Sequence, residues 1–77
     1  MQVQMVPIAE SKLLRAYGYE QGKDGGGALH LEFRDGRRWR YDGVPPAVLE
    51  GFLLSESRGS YFHRAIKGRF PGVPLEP

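Results

Sequence analysis

Basic residues are concentrated in two segments of this 77-residue chain. Residues 34–40 contain four arginines and one aspartate, and residues 58–69 contain three arginines, one lysine and no acidic residue. The two segments carry +3 and +4, so with a net charge of +2 the rest of the chain sums to −5, since 2 − 3 − 4 = −5. Guanidinium and ammonium groups bind phosphate strongly. This segregation is compatible with a polyanionic partner and equally with a solvated basic face that has no partner.

A second group of reactive side chains lies within residues 57–63. Ser60 and His63 are three residues apart and could approach as nucleophile and base. Seryl catalysis also needs an orienting acid and an oxyanion hole, and the sequence indicates neither. Ser60 is better explained as the N-cap of a helix. The sequence therefore predicts a protein that is not an enzyme.

Composition excludes several other classes. The chain is 40% hydrophobic, with four tyrosines, four phenylalanines and one tryptophan, which is typical of a single globular domain. With no cysteine and only two histidines, neither a disulfide nor a structural metal site is expected, and no cofactor is implied. No apolar run approaches the roughly 20 residues of a membrane-spanning helix, and no signal peptide is evident. We expect a cytoplasmic protein that does not contact membranes.

The arginine-rich segment RDGRRWRY lies at a turn, and the register of the flanking strands decides which side chains face the core. A two-residue turn at Asp35-Gly36 would place arginines opposite the apolar stripe of the preceding strand. A three-residue loop with left-handed Gly36 keeps that stripe together. Burying each large apolar group is worth about 1.5–3 kcal/mol, which favours the second register. Its predicted pairs are Phe33–Arg37, Leu31–Trp39 and Leu29–Tyr41.

This register has a direct consequence for function. Trp39 and Tyr41 face the core, while Arg38 and Arg40 face water with their head groups about 7 Å apart. Base stacking by Trp39 and Tyr41 is then not expected, although single-strand recognition normally uses exposed rings. The remaining candidate rings are Tyr17, Tyr19 and Tyr61.

The remaining patterns predict an α+β domain in which two helices pack on one face of the sheet. Gly18 is expected to mark a bulge, Pro46 the first helical position and Gly59 a helix C-cap. The predicted elements are a three-stranded antiparallel β-meander at about 12–19, 28–34 and 37–42, followed by helices at about 46–56 and 60–67. The predicted organisation is a lead-in or edge strand at 1–10, a domain at 11–70 and a flexible, proline-rich tail at 71–77.

The pattern over residues 11–70 resembles the KTSC domain family, found at the C-terminus of some lysyl-tRNA synthetases and in free-standing small bacterial or phage proteins. The resemblance implies the α+β fold and a role that has been proposed to be RNA binding. Trp39 stands where the family's central Tyr-x-Tyr has its first tyrosine, and His63 stands where asparagine is usual. The motifs that carry the resemblance are Gly18-Tyr19-Glu20, Leu29-His30-Leu31-Glu32-Phe33-Arg34-Asp35-Gly36, Trp39-Arg40-Tyr41, Gly43-Val44-Pro45 and Ser57-Arg58-Gly59-Ser60-Tyr61-Phe62-His63-Arg64-Ala65-Ile66-Lys67.

Together these observations predict weak, salt-sensitive and sequence-tolerant binding of RNA or DNA through phosphate contacts. An alternative role for the sheet arginines is pairing across strands with Glu32 and Asp42. The predicted nucleic-acid-binding residues are Arg15, Arg38 and Arg40 on the sheet, and Arg58, Arg64, Lys67 and Arg69 around the second helix.

The competing hypothesis is a protein-interaction module that docks on an RNA-handling enzyme or on transcription machinery. It requires an exposed apolar patch, for which Leu54 with Tyr61 or Phe70 are the candidates. The chain is expected to be a monomer or a weak homodimer formed through an edge strand at residues 2–6.

Overall fold

A computed structural model gives the fold and describes residues 3–23 and 25–75. The α+β class is confirmed, but the antiparallel sheet has five strands in sequential order, two more than predicted. The second helix continues directly into one π-helical turn, called here the π segment. The elements are β1 (Val6–Pro7), β2 (Leu14–Gln21), β3 (Gly27–Phe33), β4 (Arg38–Val44), α1 (Pro46–Leu54), α2 (Arg58–Tyr61), the π segment (Phe62–Ile66) and β5 (Gly72–Leu75).

The register predicted for the central hairpin is confirmed. Leu31 lies opposite Trp39 and Leu29 lies opposite Tyr41. The three-residue loop closes where the Phe33 amide donates to the Arg37 carbonyl over 2.8 Å. Gly36 has a φ of 95°, which glycine adopts without the steric cost that a Cβ would add. Burial of the apolar stripe therefore outweighed the usual preference for a two-residue turn.

The core lies between one face of the sheet and the helical segments. Phe52 of α1 packs edge-on against Tyr17 of β2, with ring centroids 6.0 Å apart. Phe62 of the π segment packs in the same way against Phe33 and Tyr41, at 5.4 and 5.5 Å. Such edge-to-face pairs add about 0.5–1.5 kcal/mol each to the burial of their surface. The buried core residues are Ile8, Leu14, Leu29, Leu31, Tyr41, Val44, Phe52, Phe62 and Ile66.

The helix boundaries differ from those predicted. Pro46 begins α1 as expected, but α1 ends at Leu54, where the Ser55 side chain donates to the Phe52 carbonyl. Gly59 lies inside α2 and is not a C-cap. The N-cap of α2 is Ser57, whose hydroxyl accepts from the Ser60 amide at 3.2 Å, so assigning this role to Ser60 was wrong. Both serines fit the cap preference, and the sequence pattern selected the wrong one.

The two strands beyond the predicted meander lie at the edges of the sheet. Residues 72–75, expected to belong to a flexible tail, instead pair with β4 as β5. The Asp42 amide donates to the Pro71 carbonyl over 3.0 Å at the start of this ladder. The prolines of this segment argued against a strand in the sequence, because proline cannot donate to a ladder. Proline is nevertheless tolerated on sheet edges, where β5 lies. Residues 76 and 77 lie outside the described part of the chain.

The N-terminal segment crosses the face of the sheet that was expected to be polar. A Cβ at Gly18 would lie 2.6 Å from a Val3 methyl carbon and 2.8 Å from the Met5 sulfur, so Gly18 permits a close approach. The bulge predicted at Gly18 lies instead between Leu14 and Ala16. The edge position of β1 agrees with a lead-in strand, although residues 1 and 2 lie outside the described range. Within residues 3–23 and 25–75, no helix is both long and apolar enough to span a bilayer.

Candidate functional site at the end of the central hairpin

The arginines predicted on the outer face of the sheet are engaged in ion pairs. Glu32 accepts from Arg15 at 3.2 Å and from Arg38 at 3.1 Å, and its side chain is only 15% exposed. Arg40 pairs with Asp42 at 2.9 Å along the same strand. The structure thus brings Arg15 and Arg38 together around one carboxylate and holds Arg40 separately. Both arginines in the Glu32 network keep half of their side-chain surface exposed and remain accessible to a ligand.

The second predicted cluster is distributed around the helical segments. Arg58 donates to the Leu53 carbonyl at 3.0 Å, and Arg69 donates to the Arg64 carbonyl at 3.1 Å. The Arg64 guanidinium lies 5.7 Å from the centre of the Tyr61 ring, within cation–π range. These contacts give the three arginines structural roles. Lys67 is the member of the cluster that lines a cavity shared with the central hairpin.

This cavity is a groove of about 460 Å³ between the hairpin, the π segment and the chain leading into β5. We call it the aromatic groove. Buried Tyr41 and Phe62 are among the residues lining it, together with half-buried Phe33, Trp39 and Phe70. Its volume lies within the roughly 300–1,000 Å³ typical of small-ligand sites. The exposed polar residues that line it are Asp35, Arg37, His63 and Lys67.

Two local structures shape the aromatic groove. The confirmed hairpin register puts Trp39 on the helix-covered face beside Tyr41, with ring centroids 6.2 Å apart and an interplanar angle of 18°. On the other side, the Lys67 amide donates to the Phe62 carbonyl at 2.8 Å, which closes the π segment. π-helical turns occur frequently at functional sites. Gly68, with a φ of 81°, then turns the chain so that Phe70 reaches the groove.

A second concavity of about 770 Å³ lies beside the tip of the same hairpin. We call it the arginine hollow, because Arg15, Arg37 and Arg38 line it around Glu32. It shares Asp35, Arg37 and Trp39 with the aromatic groove. The two concavities therefore form one hairpin-end surface. Its four cations, Arg15, Arg37, Arg38 and Lys67, outnumber the carboxylates Asp35 and Glu32, which leaves +2 with His63 neutral.

Sequence reasoning missed part of this surface. Trp39 lies on the helix-covered face as predicted, but it is only partly buried and lines the aromatic groove. Arg37 was placed at the start of the third predicted strand and was left out of the predicted binding residues, although its side chain is 79% exposed and lines both concavities. Phe70 was placed next to a loose tail. The glycines that bend the chain at 36 and 68 were the available signal for both residues.

Two buried or partly buried groups have shifted acidities. Burial is the main reason that the pKa of His30 is lowered, and Arg40 and Arg38 lower it further against the opposing effect of Glu20 and Asp42. The His30 Nε2 atom is enclosed and has no hydrogen-bond partner within the described part of the chain. Burial raises the pKa of Tyr41, which keeps this residue a neutral phenol in the groove.

The two serines at the start of α2 form hydrogen bonds with each other. The Ser57 hydroxyl donates to the Ser60 hydroxyl at 3.1 Å, and the same Ser57 oxygen accepts from the Ser60 amide. Ser60 is therefore held in a capping interaction. Among residues 3–23 and 25–75, no group of three or more His, Cys, Asp or Glu side chains is arranged to hold a metal ion.

Comparisons with known proteins identify relatives over most of the chain. The model of the KTSC domain family matches residues 10–70. An uncharacterised protein of Stutzerimonas stutzeri is 34% identical over 58 residues, which cover 75% of this chain and 78% of the relative. A lysine–tRNA ligase of a Nostoc species is 39% identical over 61 residues, which cover 79% of this chain but 10% of the ligase.

The fold comparison agrees with these matches. A crystal structure of a KTSC domain protein from Yersinia pestis superposes with a TM-score of 0.85 at 28% identity, covering 97% of this chain and 100% of that protein. The residues that the family model matches, 10–70, include the central hairpin and the helical segments. The chain therefore belongs to the KTSC domain family.

Proposed function

We propose that this protein is a small non-enzymatic module that binds single-stranded RNA or DNA weakly through the hairpin-end surface. The observation that carries the proposal is the junction of two concavities at Arg37 and Trp39, one rich in arginine and the other lined by aromatic rings. Proteins that bind single strands combine cationic surfaces that follow the backbone with aromatic side chains next to the bases. The prediction from sequence placed the basic residues on the sheet face and around the second helix, and the proposal moves the centre of the binding surface to the hairpin tip.

The cations of the arginine hollow would contact phosphate. Arg37 is the most exposed of them, and its nearest carboxylate, Asp35, is 3.7 Å away at the surface, where an ion pair contributes at most about 1 kcal/mol. Arg15 and Arg38 would have to bind the phosphate beside Glu32 or give up their ion pairs with Glu32 in order to bind it. This competition by a carboxylate makes weak binding the expected outcome. It also makes the affinity depend on salt concentration.

The relatives support the proposal indirectly. A segment similar to this chain occurs in a protein named lysine–tRNA ligase, where it is one-tenth of the length. A small accessory module with a cationic surface could hold RNA near such an enzyme, and the same surface on a separate chain could bind other single strands.

Fluorescence anisotropy with labelled RNA and DNA oligonucleotides tests the proposal. Binding should strengthen at low salt, with log K falling against log salt by about 0.7 for each phosphate contacted. A double variant, Arg37→Gln with Lys67→Gln, should weaken binding and flatten this slope. Lys12→Gln with Lys23→Gln, two exposed lysines outside both concavities, removes the same charge and serves as the control. Absence of binding at tens of micromolar protein and low salt would refute the proposal.

Docking to an acidic protein segment is the second candidate. It is favoured by the observation that Glu32 and Asp42 already bind the sheet arginines, since a partner's carboxylates could take the same positions. Leu54, which is 76% exposed on α1, offers an apolar contact for such a partner. Capture from lysate with and without nuclease separates the two functions. Partners kept after nuclease treatment indicate protein docking, and partners lost indicate nucleic acid.

A further inference from the structure

The aromatic groove has more apolar surface than a purely phosphate-binding module requires. Phosphate contact needs cations at a surface, whereas Phe33, Trp39 and Phe70 are half-buried side chains that leave part of their rings accessible in one cavity. Phe33 is held from below by an edge-to-face contact with Phe62 at 5.4 Å. Trp39 is held by its stack on Tyr41. The rings of Phe33 and Trp39 are therefore supported before any ligand arrives, which lowers the entropy cost of binding.

The charges around this groove complement a planar group that carries an anion. Arg37 and Lys67 line it, both of them exposed, together with the exposed imidazole of His63. Arg37 also lines the arginine hollow, so one cation belongs to both concavities. A nucleotide has the matching layout, with a flat base on one side of the ribose and a phosphate on the other. An extended apolar peptide would use the rings but would leave the cations without a partner.

We propose that the aromatic groove holds one unpaired nucleobase of a single strand while the flanking phosphate lies at Arg37. This inference rests on the proposed function and adds a base site to the phosphate contacts. The base would lie against the rings of Trp39 and Phe70. The phosphate on one side of this nucleotide would lie at Arg37, and the phosphate on its other side would contact Lys67. Duplexes are excluded, because a paired base cannot leave its stack without an unpairing cost.

Trp39 provides a direct test, because it is the only tryptophan in the chain. Its fluorescence should be quenched by a nucleoside monophosphate and should stay unchanged with ribose 5-phosphate or inorganic phosphate at equal ionic strength. Excitation at the red edge of the indole band, with correction for absorption by the base, isolates this signal. Equal responses to the nucleotide and to ribose 5-phosphate would overturn the base site.

A second test compares an intact oligonucleotide with an otherwise identical strand that lacks bases. The intact strand should bind roughly 5- to 100-fold more tightly, because stacking on aromatic side chains contributes that much per base. Phe70→Leu keeps an apolar side chain and should weaken binding of the intact strand several-fold without affecting the abasic one. Phe70→Ala should give a larger loss. Leu54→Ala on α1 is the matched control, and thermal unfolding of each variant confirms that it is folded.

The outcomes separate this inference from the proposed function. Equal affinity for the intact and abasic strands, with normal salt dependence, would refute the base site and leave phosphate binding intact. Binding of neither strand would refute both. The expected result is that Phe70→Leu reduces the preference for the intact over the abasic strand and leaves binding of the abasic strand unchanged.

Discussion

Removing the negative charge of Glu32 should strengthen nucleic-acid binding. Glu32 accepts from both Arg15 and Arg38 at 3.1–3.2 Å, and therefore holds two cations that the proposed phosphate site needs. In Glu32→Gln the amide oxygen can still accept one hydrogen bond, but the charge that attracts the arginines is gone. Each arginine released to a phosphate should steepen the salt dependence by about 0.7 in log K per log salt.

The expected size of this effect follows from the two ion pairs. Between roughly 50 and 200 mM salt, one released arginine increases the ratio of the two affinities about threefold, and two increase it about sevenfold. The cost in stability should be about 1 kcal/mol, because each arginine is half-exposed and such pairs contribute about 0–1 kcal/mol. Anisotropy titrations of a labelled single strand at several salt concentrations measure the slope. Glu50→Gln, at an exposed position of α1, changes the net charge by the same amount as Glu32→Gln and should leave the slope unchanged. An unchanged slope in Glu32→Gln, or equal gains in both variants, would refute the reasoning.

Three further predictions concern stability and assembly. The pKa of His30 is lowered mainly by burial, so the unfolded chain binds a proton at His30 more readily than the folded chain does. Stability should therefore be full above the unfolded pKa of 6.5 and fall as the pH drops below it. Thermal unfolding in a pH series should show that His30→Gln lacks this part of the pH dependence. Gly51→Ala should lower stability by about 1–3 kcal/mol despite alanine's better helix propensity, because the new Cβ would clash with the Tyr61 hydroxyl oxygen and lie 2.9 Å from its ring. A melting temperature at or above that of wild type would contradict the packing. The ladder with β4 turns the backbone nitrogens of Gly72 and Pro74 outward, so Pro74 removes a hydrogen-bond donor from this edge of the sheet. Light scattering should therefore give a monomeric mass, and Pro74→Val should increase self-association.

The central hairpin could be predicted from the sequence because its signals agree. Alternation in β3, the turn residues Asp35-Gly36 and the aromatic pair in β4 all favour one register, and burial of the apolar stripe resolves the choice between two loop lengths. The site on that hairpin was predicted less well. Parity gives the face on which Trp39 lies, but its remaining exposure depends on how far the π segment and the chain before β5 cover it, and no local pattern contains that information.

The unpredicted parts of the fold depend on contacts between distant segments. The strand at 72–75 is rich in proline and glycine and forms because the edge of β4 offers hydrogen-bond partners. The π segment follows a short helix and closes with a hydrogen bond from the Lys67 amide to the Phe62 carbonyl. The ion pair between Arg38 and Glu32 could be anticipated from their cross-strand position, whereas Arg40 pairs with Asp42 on its own strand and not across strands as expected. The use of Glu32 by both Arg15 and Arg38 follows from the bulge next to Leu14 and was not visible in the sequence.

Mapping of backbone amide chemical shifts during titration with a short single-stranded oligonucleotide tests the central claim most directly. Amides of the hairpin tip around Arg37, of β4 around Trp39, and of the turn from Lys67 to Phe70 should shift together and saturate at one affinity. Shifts that are confined to α1 or to the glycine-rich loop between β2 and β3, or that are absent at millimolar oligonucleotide, would contradict the assignment of the hairpin end as the binding surface.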